Sequence, residues 1–372
     1  MTIFLCGSFT GPFTGQMQTL LGVKESLNLQ KIQKVNLPNK GKLILYEIFL
    51  FLIKLLQIIL SKRTSIIYLM INRSRVSFWI RDFPIFCIAR IKGLKLVCHL
   101  VGSDIKIFLK SLNNFEIYLI RKLYPGITIW IVLGDSMKKQ IIDIYDELEL
   151  KNETDNELKP NIKILRGFYP KEVDDKKLEI LINQKKINFN KKINIGYMSN
   201  FIEEKGIVEF IESTIELREK YNYPINSWIA GSFINSPSNR VKKAINLAES
   251  KKYFEVSSLI SGDSKWQKLL DTDIFILPTY YKVEALPLSL VEAMKFKCLC
   301  ISTKIGEIPD LLENNRGVMI EEVNTSNLVN VLLNVISDPK KSYLAAYRAH
   351  NYVSEIFRFK NFKAKLNEIL NL

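Results

Sequence analysis

Two glutamates eight residues apart, Glu284 and Glu292, stand on either side of Pro287. Proline is poor inside a helix and favoured at its first position. A helix beginning there leaves Glu284 in the loop ahead and puts Glu292 about a turn in. The free N–H groups around Leu286, Leu288 and Ser289 then point out of the helix N-terminus, which is a ready anion site. One carboxylate before an anion site and one beside it suit a ligand with a phosphate in its middle and hydroxyls at both ends, as in a nucleotide sugar. The spacing alone is common, and two solvated charges would look the same, so the surrounding elements carry the argument.

Those elements are well marked. An apolar run at 274–277 reads as a short buried strand that Pro278 stops. A loop at 279–286 holds two tyrosines and Glu284, and a helix over 288–296 turns Leu288, Val291 and Met294 inward. Residues 298–302 form a second buried strand, and Gly306 breaks the next turn. Elsewhere, Lys205-Gly206 opens a helix with Ile207, Phe210, Ile211 and Ile215 on its inner face. The helix dipole disfavours a cation there, unless an anion binds at the same spot. Strand 94–100 ends at His99, on the edge where parallel α/β sheets bind ligands. Asp104 is positioned to cap the helix that follows. A glycine-bearing loop at 7–16, ending at Gly15, joins a first strand at 2–6 to a helix. Its glycines lie four apart, which is not the dinucleotide fingerprint.

This frame resembles the retaining glycosyltransferases of family four (glycosyl transferases group 1), which have the GT-B fold. Members carry the run E-G-x-x-L-x-x-x-E-A-M; here it is Glu284-Ala285-Leu286-Pro287-Leu288-Ser289-Leu290-Val291-Glu292-Ala293-Met294. The resemblance covers the C-terminal half and, more faintly, the N-terminal half. It implies two Rossmann-like α/β domains with parallel sheets facing a central cleft. It implies transfer with retention from a UDP- or GDP-sugar to an acceptor hydroxyl; the basic first domain suggests that the acceptor is a glycan or lipid-linked, as in bacterial surface polysaccharide synthesis. It assigns catalytic roles at the sugar to His99 and Glu284, and donor contacts to Gly15, Asn200, Lys205, Gly231, Leu286, Leu288 and Glu292. Asn200 stands where many members have an arginine, so one positive charge on the diphosphate is missing. Gly306-Glu307-Ile308-Pro309-Asp310 departs from the family's G-G-x-P-E turn at Glu307. The fold typically needs no catalytic metal, so no cofactor beyond the nucleotide-sugar co-substrate is expected. Asp271-Thr272-Asp273 has the form of a D-x-D metal motif but fits a helix end and strand start.

A chain of 372 residues suggests two domains. We expect an acceptor-binding domain at 1–170, a linker at 171–190, a nucleotide-sugar domain at 191–345, and helices at 346–372 that brace the first domain. The formal net charge is +15. Residues 1–100 hold 14 Lys and Arg against three acids, whereas residues 191–372 hold 24 against 21. The basic first domain suits an anionic membrane face, giving a cytoplasmic protein peripheral to the inner side of the plasma membrane. A composition effect accounts for the charge equally well. Basic residues interleaved with aromatics at 72–90 leave a nucleic-acid-binding protein as the alternative, although no known nucleic-acid module is present and no nucleic acid is expected. A GT-B-like nucleotide binder without turnover is a third reading. The five cysteines lack a CxxC pair and read as reduced core residues of a cytosolic protein. With two histidines, a zinc site is not expected. The start has no basic n-region, so no signal peptide is expected. The most apolar stretch, 43–60, contains Glu47, Lys54 and Gln57, which makes it a poor membrane span. A core helix is the favoured reading and a helix dipping into the membrane interface the sharper one.

Overall fold

The computed structural model describes residues 2–9, 15–27, 31–36, 44–71, 73–150, 157–170, 173, 176–185, 192–233 and 236–372. The chain divides into two units, Met1–Gly167 with Lys360–Leu372, and Phe168–Phe359. Each contains a six-stranded parallel sheet. Several expected linker residues, among them 186–190, and Gly11 of the glycine loop lie outside the described residues.

In the first unit the strands are β1 (Thr2–Gly7), β2 (Lys31–Asn36), β3 (Ile66–Met70), β4 (Lys95–His99), β5 (Ile129–Val132) and β6 (Ile162–Ile164), in spatial order β2-β1-β3-β4-β5-β6. The central strands are buried along their whole length, as parallel strands covered on both faces must be. That is why they read as short apolar runs without alternation. The final segment, Lys360–Leu372, belongs to this unit, and the Lys95 ammonium donates to the Leu370 carbonyl at 3.2 Å.

Helix Ile44–Leu60 departs from the expected core helix. Phe51, Leu55 and Ile58 form its inner stripe, but Tyr46, Phe49, Leu52, Leu56 and Leu60 are between 54% and 76% exposed. The sequence is apolar on nearly all sides, and one side packs inward.

The segment around residues 73–90 resolves differently from a nucleic-acid surface. Phe78 and Phe86 are buried and meet Phe108 and Tyr124 in an aromatic core. Arg73 pairs with Asp104 at 2.7 Å and Arg75 with Glu116 at 2.8 Å. Asp104 occupies the N-cap position of helix Ile105–Lys110 but makes no side-chain cap bond, because its carboxylate turns to Arg73.

In the second unit the strands are β7 (Ile193–Met198), β8 (Ile225–Ala230), β9 (Phe254–Ser257), β10 (Ile274–Leu277), β11 (Leu299–Thr303) and β12 (Val318–Ile320), in order β12-β11-β10-β7-β8-β9. The chain starts in the middle, builds outward through β8 and β9, then returns to build β10 to β12 on the other side. The loops after β7 and β10 therefore diverge from adjacent strands, and such a switch point is where open α/β sheets bind ligands. Helix Pro339–Ile356 lies within this unit rather than starting the brace at 346. It packs on helix Leu288–Lys295, where the fully buried Lys295 donates to Ser354 at 3.1 Å and His350 Nδ1 lies 2.6 Å from the Lys295 carbonyl.

Asp271-Thr272-Asp273 is structural, as its position between helix and strand implies. Helix Gly262–Asp271 ends there, and the Asp273 carboxylate accepts the Asn194 N–H at 2.9 Å, tying β10 to β7. All five cysteines are free thiols, and Cys6, Cys98, Cys298 and Cys300 are buried.

Candidate functional site

The loop after β7 runs through Asn200, a short 3-10 turn Glu203–Lys205, and Gly206 into helix Ile207–Glu219. The loop after β10 runs from Pro278 to Pro287 and into helix Leu288–Lys295. Hydrogen bonds lock the two loops together. The Tyr280 N–H donates to the Glu204 carbonyl at 2.8 Å, and the Thr279 hydroxyl reaches the same carbonyl at 3.3 Å. A third loop, after β11, joins them through the Glu307 N–H on the Ala285 carbonyl at 2.8 Å. Gly306 makes this approach feasible. Its φ is +57°, and a Cβ there would lie 2.4 Å from the carbonyl oxygens of Glu284 and Ala285.

This framework joins two residues that are 79 apart in sequence. The Lys205 ammonium is ion-paired with the Glu284 carboxylate, and the two side chains are 12% and 9% exposed. Thr279 Oγ1 lies 3.4 Å from the same carboxylate, and the ammonium lies 4.8 Å from the Tyr281 ring centroid. The helix-start cation is thus matched by a protein carboxylate, a partner that reading one loop at a time does not reveal.

Pro287 occupies the N-cap of helix Leu288–Lys295, one position earlier than expected. Its carbonyl accepts the Leu290 and Val291 N–H groups at 3.1 and 3.4 Å. The amides of Leu288 and Ser289 precede that first helical bond and stand at the positive end of the helix. Leu286 is buried, but Leu288 is half-buried rather than inward, and the helix is enclosed from Leu290 onward.

Glu292 follows on the same helix and is 5% exposed. Its carboxylate pairs with Lys265 at 2.8 Å. Burial raises the Glu292 pKa, and Lys265 opposes that rise. Lys265 is a residue that the sequence reading passed over. It comes from helix Gly262–Asp271, its ammonium sits 4.2 Å from the Trp266 ring centroid, and Trp266 stacks on Phe296 at 5.6 Å. Its position at the start of a helix after the Ser261-Gly262 turn was a usable signal, the same one that identified Lys205.

Asn200 is half-buried, and its carbonyl accepts the Ile202 N–H at 2.8 Å. Gly231 follows β8 against the same loop; a Cβ there would lie 1.9 Å from the Ser199 carbonyl oxygen, so only glycine lets the two strand exits touch. A cavity of about 420 Å³ opens past the ends of β10 and β11, with Thr279, Tyr280, Thr303, Lys304 and the Glu209–Arg240 pair among its lining.

The two remaining expected residues belong to the first unit. Gly15 is the exposed first residue of helix Gly15–Ser26. His99 ends β4, only 1% exposed, with Nδ1 hydrogen-bonded to the Tyr68 hydroxyl at 2.7 Å. Its Nε2 has no hydrogen-bond partner among the described residues. Burial lowers its pKa to about 3, so the ring is neutral. No cluster of metal-ligating side chains occurs among the described residues.

Known proteins resemble this chain in sequence and fold. A family model described as "Glycosyl transferases group 1" matches residues 179–351, which lie inside the second unit. A curated relative from Campylobacter jejuni, N,N'-diacetylbacillosaminyl-diphospho-undecaprenol alpha-1,3-N-acetylgalactosaminyltransferase, is 25% identical over 177 residues. That match takes in 47% of this chain and 43% of the relative, so the matched region is under half of each. Among solved structures, Anabaena HepE in complex with UDP and glucose superposes with a TM-score of 0.67 at 14% identity, over 100% of this chain and 99% of that one. Sucrose-phosphate synthase from Thermosynechococcus elongatus gives 0.70 at 11% identity, over 100% and 98%. The fold is GT-B, and residues 179–351 match the model of the glycosyl transferases group 1 family.

Proposed function

We propose that this protein is a glycosyltransferase that moves a sugar, with retention of anomeric configuration, from a nucleoside-diphosphate sugar to a hydroxyl of a lipid-linked glycan. The carrying observation is the arrangement at the β7–β10 switch point. Two lysine–glutamate pairs, Lys205–Glu284 and Lys265–Glu292, include the carboxylates on either side of one helix N-terminus.

In this reading the donor diphosphate lies at the amides of Leu288 and Ser289 and takes the Lys205 ammonium as a shared partner. Departure of the diphosphate needs positive potential and no proton chemistry. Lysine and helix amides supply it, so the reaction needs no metal. Glu292 accepts hydrogen bonds from the ribose hydroxyls. Lys265 opposes the effect of burial, which favours the neutral form of that carboxylate. Glu284 orients the donor sugar. Gly231 and Asn200 shape the loop beside the nucleotide, with Asn200 contributing a dipole where relatives use an arginine. For His99 we propose a neutral hydrogen-bonding role, and for Gly15 a backbone approach to ligand.

UDP is favoured over GDP because the Anabaena neighbour is described with UDP and glucose. A lipid-linked acceptor is favoured because the Campylobacter relative is named for a diphospho-undecaprenol substrate. The corresponding setting is surface-polysaccharide assembly at the inner membrane face, with the basic first unit toward anionic lipid. The test is a panel of UDP- and GDP-sugars with polyprenyl-diphosphate-linked sugars, monitored for nucleoside diphosphate release and for the product's anomeric proton. The reading requires acceptor-dependent release with one donor, an axial linkage from an axial donor, and loss of both in Glu284→Gln. A panel without turnover, with nucleotide still bound, would return the protein to a binder.

A further inference from the structure

Helix Ile44–Leu60 has three faces, and two of them are apolar. Phe51, Leu55 and Ile58 pack inward. Glu47, Lys54 and Gln57 fall at helical spacing on one flank, where Lys54 donates to Gln57 at 3.0 Å. The remaining face presents Tyr46, Phe49, Leu52, Leu56 and Leu60, each more than half exposed. A surface helix ordinarily shows water its polar side, so this one is inverted. Contiguous exposed apolar surface of this kind marks a contact with protein or lipid.

Charge identifies the occupant. Just past the helix end come Lys62 and Arg63, both exposed. The Lys92 ammonium reaches back to the carbonyls at its C-terminus, including Ile58 at 3.4 Å and Ser61 at 2.7 Å. Beside Lys92 in the chain, Ile91 is 83% exposed. Residues 1–100 carry 14 Lys and Arg against three acids. A second copy would bring the same positive field and be repelled, whereas an anionic bilayer supplies the opposite charge and an apolar interior. The helix is too short to cross. At 17 residues it spans about 25 Å, against a hydrocarbon core of about 30 Å. Among the described residues, no helix is long and apolar enough to cross a membrane.

We propose that helix Ile44–Leu60 lies in the plane of an anionic membrane, with its Phe49–Leu52–Leu56 face among the acyl chains and its basic end at the lipid phosphates. This is the geometry of an interfacial amphipathic helix. It deepens the reading of a lipid-linked acceptor, and it names the element that brings the enzyme to its substrate.

The test is flotation of the full chain with vesicles of equal parts phosphatidylglycerol and phosphatidylcholine, and with phosphatidylcholine alone. Wild type should float with the anionic vesicles, weaken with salt, and bind the neutral ones poorly. Phe49→Ser/Leu52→Ser/Leu56→Ser should reduce vesicle affinity by about tenfold or more. Lys62→Glu/Arg63→Glu should abolish the preference for anionic lipid. Thermal shift with UDP, read on each variant, reports a folded donor domain separately. Wild type that stays with the soluble fraction, or a triple variant that floats like wild type, overturns the proposal. So does a concentration-dependent dimer that the triple variant abolishes, because a second copy would then cover the face. Membrane binding without any nucleotide shift would leave this inference standing and sink the donor-site reading, and the converse pattern would do the opposite.

Discussion

Lys205 and Glu284 form one ion pair at the point where the second sheet changes its direction of winding. The loops that carry them leave adjacent strands, and backbone hydrogen bonds fasten one loop to the other. In the proposed function, the pair would give a donor diphosphate a cation that is already held in place, which is the condition for electrostatic stabilisation without reorganisation.

Removing that cation should therefore cost both activity and stability. Lys205→Ala is expected to lower kcat/KM by about 10²- to 10³-fold. It should also destabilise the second unit by on the order of 2 kcal/mol, because the largely buried Glu284 loses its partner. Steady-state kinetics and urea unfolding of the same preparation check both. A variant with wild-type kcat/KM would show that the pair is only a strut.

Glu292 should trade stability for binding. Burial raises its folded pKa above the unfolded value. A carboxyl raised in this way contributes stability at low pH, and that contribution is lost as pH rises from the unfolded pKa through the folded one. Glu292→Gln removes that loss. Its Tm should equal or exceed that of wild type near about pH 7.5, the difference should shrink toward about pH 5, and UDP binding should fall sharply. A Tm several degrees lower at neutral pH would contradict the assignment.

The two histidines predict acid sensitivity, opposite in sign to the effect of Glu292. His99 and His350 are buried, with pKa values lowered to about 3 and about 4 by burial. Each binds fewer protons folded than unfolded, so stability is lost as pH falls below the unfolded value of about 6.5. Between about pH 6.5 and 5, each should contribute on the order of 1–2 kcal/mol of loss. Urea midpoints across that range should flatten in His350→Gln. The pH profile of kcat/KM should show no limb near about 6.5 arising from His99.

Much of this architecture is legible from short-range signals. Pro278, Pro287 and Gly306 punctuate the chain, and buried parallel strands such as β10 appear as apolar runs. The pairings are not legible, because Lys205 with Glu284 and Lys265 with Glu292 depend on how distant loops converge on one sheet edge. The exposure of helix Ile44–Leu60 is hidden for a different reason. Apolar residues on nearly every side call for removal from water without saying whether protein or lipid provides it. The arginines at 73 and 75 are similarly ambiguous until Asp104 and Glu116, on other elements, are seen to take them.

Gly306→Ala should act at a distance on Glu284. The new Cβ would meet the carbonyls of Glu284 and Ala285 in a left-handed backbone. The expected cost is about 1–3 kcal/mol, with kcat falling more than the donor KM rises. Unchanged kinetics in a folded variant would show that this turn does not position the loop.

Calorimetric titration of UDP into wild type, Lys205→Ala and Glu292→Ala tests the central claim most directly. The account predicts one site on wild type, with binding weakened at least tenfold in each variant while the fold survives. Equal binding by all three, or no binding of any nucleoside diphosphate by wild type, would contradict the donor site as described.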